Sequence, residues 1–388
     1  MLSPALPCSE IDRFSDVAQA RGQVLGKTVR WISILVAISL FAMFAVALWA
    51  RTALTPVEGI VALHSRMFAQ GEGLYYDLNR YPFTATVYGP IYYSLCAALD
   101  RLGFPSYAAA RAISLSAVLG TLWFGWKILS RLTTNPVART TGVLLAASTA
   151  NFLYWGTVGQ VDPLAIFFSI TALSYYLEWH CSRVSASYWL SALFIVLAVF
   201  TKQTAIAAGI AITVTLLWED RKAAIRWIAA VALAGCTIVA ALTFATHGNY
   251  LENAVFANLN PFRLDKLVQQ AQYFGLTAGG LLLIVACGLR TVTRRTFPLF
   301  LYAGLSLVVW ILTAAKVGSD LNYQVEMTLL LSLSAAVALD QCGFFTALTA
   351  NRKTWLTLLQ IPLLLHVVLN LTLTFRNVGE REIGRAHV

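Results

Sequence analysis

Apolar runs of roughly 17 to 22 residues recur from residue 31 to residue 375, and no other feature narrows the fold as far. As a helix, each is long enough to cross a hydrocarbon core of about 30 Å. Backbone amides find no water in lipid, so the runs must be helical. They fall near 31–50, 108–130, 137–157, 162–179, 186–201, 203–218, 224–246, 271–289, 296–315, 322–340 and 354–375, which predicts an all-α polytopic membrane protein of about eleven spans. The composition points the same way, with 58% of the 388 residues hydrophobic and only 12% charged.

A further run, VYGPIYYSLCAALDRLGF, is short, opens on Gly89 and Pro90, and carries Asp100 and Arg101. Whether it crosses fixes the side on which everything downstream lies. Arg13, Arg21, Lys27 and Arg30 place the amino terminus in the cytoplasm, and three later basic clusters begin at Lys127, Arg221 and Arg290. Keeping all of them on one side requires a single crossing between Glu58 and Lys127, so this run is expected to lie along the interface as a juxtamembrane helix. Glu58, Asp162, Lys202, the 247–270 loop and KVGSDLNYQVE then share the outer face. The organisation expected is a cytoplasmic segment over 1–30, one transmembrane domain over 31–375 whose first outer loop is 51–107, and a tail over 376–388. The final IGRAHV resembles a translated sequencing adapter, so the natural chain is expected to continue beyond it. The first run lacks a small-residue cleavage site and reads as an uncleaved span.

The net charge of +10 is spread in short clusters between apolar runs, which argues against nucleic acid as a partner. Six cysteines stand far apart without CxxC spacing and read as core thiols. GQVLGKT, from Gly22, is one residue short of a phosphate-binding loop and follows no strand. His64, His180, His247 and His366 are scattered without zinc-ligand spacing, so no metal site is expected from them. No GxSxG elbow is present.

Glu58 is the first acid after the first run, and by itself it reads as a solvated loop carboxylate. Its company changes that reading. The loop continues through GEGLYY and YGPIYY, Arg111 opens the next span, and GQVDPLAIFF brings Asp162 to the start of another. An acid ionised at neutral pH beside the membrane is placed to act as a general base on a lipid-borne substrate.

This order of motifs resembles the GT-C class of membrane glycosyltransferases, in particular the branch of protein O-mannosyltransferases and lipid A aminoarabinose transferases. In that class an acid after the first span, often in a DE or DD pair, opens an outer loop that holds the catalytic centre. Carried over, Glu58 matches the loop acid, GEGLYY the G-x-x-x-Y segment, YGPIYY the start of a PPL-like juxtamembrane helix, Arg111 the basic residue and Asp162 a second acid. FTKQTA and GSDLNYQVE also look like motifs of family 39-like members. Two departures stand out: Gly59 follows Glu58 where a second acid is usual, and Tyr88-Gly89 precedes Pro90. A divalent metal held by a paired acid therefore has no support.

The resemblance implies an inverting transferase at the outer face of a bacterial inner membrane, using a polyprenyl-phosphate sugar as donor, with an unknown acceptor and membrane lipid as surroundings. Glu58 is then the expected base, and Asp162 orients hydroxyls. Lys202 and Arg111 neutralise the departing phosphate, while Gln160, Gln203, Tyr88, Asn322, Tyr323 and Glu326 line the site. Several have a plainer alternative: Lys202 and Gln203 as residues of a turn with the lysine snorkelling, Asn322 as a helix cap, and the tyrosines from Tyr75 to Tyr93 as interfacial anchors. A transporter or flippase of a lipid-linked or anionic solute is the rival reading. It would gather its polar residues at the bilayer midplane, whereas here they gather at one rim.

Overall fold

The computed structural model describes residues 31–81, 83–345 and 366–373, and these are all helix and loop, with one isolated backbone bridge between Phe262 and Lys316. The amino-terminal segment with GQVLGKT, most of the run at 354–375 and the tail lie outside the described residues. Helix α1 spans Trp31–Trp49. It is followed by α2 (Pro56–Ala69), α3 (Pro90–Arg101), α4 (Ser106–Leu132), α5 (Pro136–Ser148), α6 (Ala150–Gly156) and α7 (Val161–Ser182). Then come α8 (Ser185–Val199), α9 (Ala207–Glu219), α10 (Arg221–Ala245), α11 (Asn249–Ala254), α12 (Leu264–Gly288), α13 (Phe297–Ala314) and α14 (Val325–Gln341). The fold is all-α and polytopic, as the apolar runs predict.

Not every apolar run forms one long helix among the described residues. Among the described residues five helices, α1, α4, α10, α12 and α13, are long and apolar enough to cross by themselves, and a sixth span arises if α6 and α7, bent by 114°, are taken as one. The run at 137–157 is interrupted because Thr149 is extended at φ -65° and ψ 132°, splitting it into α5 and α6. Helices such as α8, with 15 residues, and α9, with 13, rise only about 20 Å. The 12-residue α3 rises less still and is too short to cross a bilayer.

The helices alternate in direction between two ends. At one end the last turn of α4 meets that of α7, where Arg131 lies 3.1 Å from Glu178. There α14 also closes onto the chain leaving α4, through a hydrogen bond from Thr133 to Asp340. At the opposite end lie the starts of α2, α4, α7 and α14 and the turn between α8 and α9. The main apolar core runs along α4, α7, α9, α13 and α14. A second cluster, with Val61, Tyr75, Tyr92, Tyr93, Cys96 and Tyr250, fastens the segment between α1 and α4 onto this bundle.

Two expectations are corrected here. Tyr92 and Tyr93 are fully buried and cannot be interfacial anchors; the Tyr92 hydroxyl donates to the Ala110 carbonyl at 2.8 Å. Of the cysteines described, only Cys96 is a core thiol, while Cys181, Cys236, Cys287 and Cys342 are exposed. Isolated cysteines on helices do not reveal which face is packed, and this is why the sequence misleads.

Candidate active site

The start of α2 explains why an acid stands at position 58. Thr55 caps the helix, its Oγ1 accepting from the Glu58 N–H at 3.2 Å, with Pro56 at the first helical position. The Glu58 side chain turns inward, fully buried. Its Oε1 accepts from Arg111 Nε at 2.8 Å and from the Gly159 N–H at 2.7 Å, and its Oε2 accepts from Arg111 Nη2 at 2.8 Å and from the Leu54 N–H.

Arg111 is as fully engaged as its partner. Beyond the two bonds to Glu58, Nη1 donates to the carbonyls of Ala47 and Ala50 and Nη2 to that of Thr52, so all five guanidinium N–H groups are used. Ala47 lies in the last turn of α1, and its carbonyl, which accepts from the Ala50 N–H at 3.2 Å, takes a second bond from the guanidinium. One buried ion pair thus joins α1, α2, α4 and the turn before α7. Gly159 fits this junction because a Cβ there would lie 2.7 Å from the Ala110 Cβ and 3.1 Å from Glu58 Oε1. Gln160 completes it, its Nε2 donating to Thr55 Oγ1 at 3.1 Å.

Three residues after Gly159, Asp162 stands in the first turn of α7, where the helix dipole favours a negative charge. It is 3% exposed. Its Oδ1 accepts from Lys202 Nζ at 2.6 Å and from Asn322 Nδ2 at 3.0 Å, while Oδ2 has no partner. Lys202 Nζ also lies 3.8 Å from the centre of the Tyr323 ring. Burial opposes the charge on Lys202, but Asp162 beside it prevails and raises its pKa above the ordinary lysine range. With one strong hydrogen bond made, the ammonium keeps two N–H groups.

The turn between α8 and α9, which carries Lys202, is held by the segment before α3. Gly89 packs so closely on this turn that a Cβ would come within 1.9 Å of the Phe200 carbonyl oxygen. Gln203 Nε2 donates to the carbonyls of Val87 at 3.0 Å and Ala254 at 2.9 Å, which uses both of its N–H groups. YGPIYY and FTKQTA are therefore the two halves of one contact. Tyr88 is brought beside Asp162 and Lys202; burial first, and then Tyr323, raises its phenol well above the ordinary range.

Asn322 sits in a short 3₁₀ turn, Leu321–Gln324, leading into α14, and its side chain bonds Asp162 and caps nothing. Asp320 takes the capping role, accepting from the Leu321 N–H. Glu326, in the first turn of α14, accepts a hydrogen bond from the Tyr302 hydroxyl.

The ten sequence candidates thus form two neighbouring groups at one end of the bundle. Glu58, Arg111 and Gln160 make a saturated structural junction. Asp162, Lys202, Asn322, Tyr323 and Glu326 line a cavity between α7, the turn from α8 to α9, α13 and the start of α14, with Gln203 and Tyr88 beside it. Trp310, Ser306 and Thr313 of α13 line the same cavity and were not foreseen, because within an apolar run a lone Trp or hydroxyl carries no pattern. The saturation of Glu58 does have a signal in Thr55-Pro-Val-Glu58, the spacing of a capping box at a helix start. Among the described residues no group of three or more His, Cys, Asp or Glu could hold a metal ion.

Among solved structures, the aminoarabinose transferase ArnT from Cupriavidus metallidurans bound to undecaprenyl phosphate superposes with a TM-score of 0.64 at 15% identity, covering 92% of this chain and 78% of that one. The apo form of the same protein gives 0.67, also at 15% identity and with the same coverage. The chain has the GT-C-like fold. The Archaeoglobus fulgidus oligosaccharyltransferase in complex with zinc and sulfate is more distant, with a TM-score of 0.54 at 12% identity over 88% of this chain and 53% of that one. No family model and no curated protein matches the sequence.

Proposed function

We propose that this protein is a membrane glycosyltransferase that moves one sugar from a polyprenyl-phosphate donor to an acceptor hydroxyl, with inversion, at the outer face of a bacterial inner membrane. The observation that carries the reading is Asp162: a buried carboxylate with one oxygen fixed by Lys202 and Asn322 and the other unpartnered, in a cavity within a GT-C-like bundle. The likeness to a protein whose structure holds undecaprenyl phosphate supports the choice of donor class.

In this reading the roles are redistributed from those the sequence suggested. Glu58 has no lone pair directed at a substrate and Arg111 no free N–H, so neither is the base or the phosphate cation. Asp162 Oδ2 takes the proton of the acceptor hydroxyl as that oxygen attacks the sugar C1. The C1–O bond to phosphate breaks, the electron pair leaves with the polyprenyl phosphate, and the two remaining N–H groups of Lys202 stabilise the charge that grows there.

The test needs no knowledge of the acceptor. Polyprenyl-phosphate sugars are extracted from cells that carry either the wild type or Asp162→Asn as the sole copy. A lipid-linked sugar should accumulate in the variant and remain low in the wild type. Identical lipid profiles, with both proteins present at equal levels in the membrane, would remove the proposed function.

A further inference from the structure

The 3₁₀ turn Leu321–Gln324 touches both members of the Asp162–Lys202 pair. Asn322 Nδ2 donates to Asp162 Oδ1 at 3.0 Å, and the ring of Tyr323 lies 3.8 Å from Lys202 Nζ. The next residue, Gln324, is fully buried and anchors the turn from the far side. Its Oε1 accepts from Asn151 Nδ2 on α6 at 3.0 Å, and its Nε2 donates to the Gln270 carbonyl on α12 at 3.0 Å. Gln270 carries the tie onward to the end of α13, its own Nε2 donating to the Ala314 carbonyl at 3.2 Å. Asn151 and Asp162 stand on opposite sides of the 114° bend between α6 and α7. The turn thus braces the bend, gripping α6 through Gln324 and α7 through Asn322.

Chain and hydrogen bonds close a ring from Asn151 around the bend to Asp162, across to Asn322, and through Gln324 back to Asn151. The direction of the Asp162 carboxylate is therefore tied to where Gln324 is fixed. Lys202 and Asn322 share Oδ1, so the carboxylate meets the ammonium through one oxygen. Were the turn to withdraw, the carboxylate could rotate and face the ammonium with both oxygens, and Lys202 would spend on it a second N–H group that the lipid phosphate would otherwise meet. For stability alone an apolar side chain of similar length would serve nearly as well, because the net gain from a buried hydrogen bond is small. What the amide adds is direction. We infer that Gln324 is a positioning residue for the transfer, which holds Asp162 and Lys202, through the brace, in the arrangement that base and phosphate cation require. This rests on the function proposed above and gives a role to a residue that bonds neither member of the pair.

Thermophoretic titration of the purified full chain with undecaprenyl phosphate, run well below the melting temperature of each variant, separates placement from mere support. Gln324→Met keeps the length and removes both hydrogen bonds, and it should weaken binding roughly fivefold, the worth of about one hydrogen bond. Asn151→Ala cuts only the α6 side of the brace and should weaken binding in the same direction. The double variant should bind no more weakly than Gln324→Met, because both changes remove one shared bond. If melting temperatures fall while every variant binds as the wild type does, Gln324 only supports the fold, and the inference is overturned with the transferase reading intact. Should Gln324→Met fail to fold, Asn151→Ala decides by the same criterion. A wild type that binds no undecaprenyl phosphate would sink both the inference and the function on which it rests.

Discussion

Glu58 and Arg111 hold one another along one edge of the guanidinium, Nε and Nη2 each donating to a carboxylate oxygen at 2.8 Å, and neither retains an unused polar atom. Removing one partner of a buried pair leaves the other uncompensated, at a cost of about 3 to 5 kcal/mol. Glu58→Gln is therefore expected to lower the melting temperature in detergent, and Arg111→Lys to do so as well, because a lysine cannot reproduce the fork. A Glu58→Gln variant that melts with the wild type and yet fails to transfer sugar would restore Glu58 as the base.

That pairing shows where sequence reading reaches and where it stops. The all-α membrane architecture was legible because apolar run length is set by bilayer thickness, and α1, α4, α10, α12 and α13 follow it directly. Which runs would shorten was not, since Thr149 breaks its run by backbone conformation. The order of Glu58, Arg111, Asp162 and Lys202 along the chain was enough to bring them to one end. It did not say that Glu58 would pair with Arg111 and Asp162 with Lys202, because that depends on distances of a few Å set by packing around Gly159 and Gly89. Trp310 was invisible because a lone Trp within an apolar run carries no pattern.

Lys202 separates structural from phosphate-binding work. In Lys202→Ala the buried Asp162 loses its counter-charge, so both stability and affinity for undecaprenyl phosphate should fall, the latter by about tenfold or more. Lys202→Arg keeps the charge and should retain part of that affinity. If all three proteins bind undecaprenyl phosphate equally, Lys202 does not meet the lipid phosphate.

The contact between Gly89 and Phe200 predicts a sharp contrast between two glycines. In Gly89→Ala the new methyl would meet a backbone carbonyl that cannot swing aside, and a cost of about 3 kcal/mol or more is expected together with displacement of the Lys202 turn. Gly59→Ala meets only the Ala53 Cβ, at an ordinary 3.6 Å, within a helix that alanine favours by about 1 kcal/mol. Melting temperatures should therefore move in opposite directions. A tolerated Gly89→Ala would mean that the segment before α3 does not rest on this turn.

The segment between α1 and α4 carries its own response to acid. His64 is fully buried on α2, and its Nδ1 lies 2.9 Å from Thr86 Oγ1. The Thr86 hydroxyl spends its one proton on the Leu74 carbonyl at 2.7 Å, so the histidine must donate from Nδ1, leaving Nε2 an unpartnered acceptor. Thr86 is tied onward through its N–H to Asn253 Oδ1 at 3.0 Å, and Asn253 Nδ2 donates to the Tyr76 carbonyl at 2.7 Å. The rings of Tyr76 and Tyr93 lie against the imidazole, and neither offers a counter-charge. Burial accordingly lowers the His64 pKa from 6.5 to about 4. Between those two values the unfolded segment binds a proton that the folded one refuses, so stability is complete above about pH 6.5 and declines as the pH falls towards 4. Melting curves of the wild type and His64→Gln between pH 7.5 and 4.5 should show the wild type losing more stability over this window, because glutamine can make the bond to Thr86 without titrating. Parallel curves would mean that His64 is charged, or already exposed, in the folded protein.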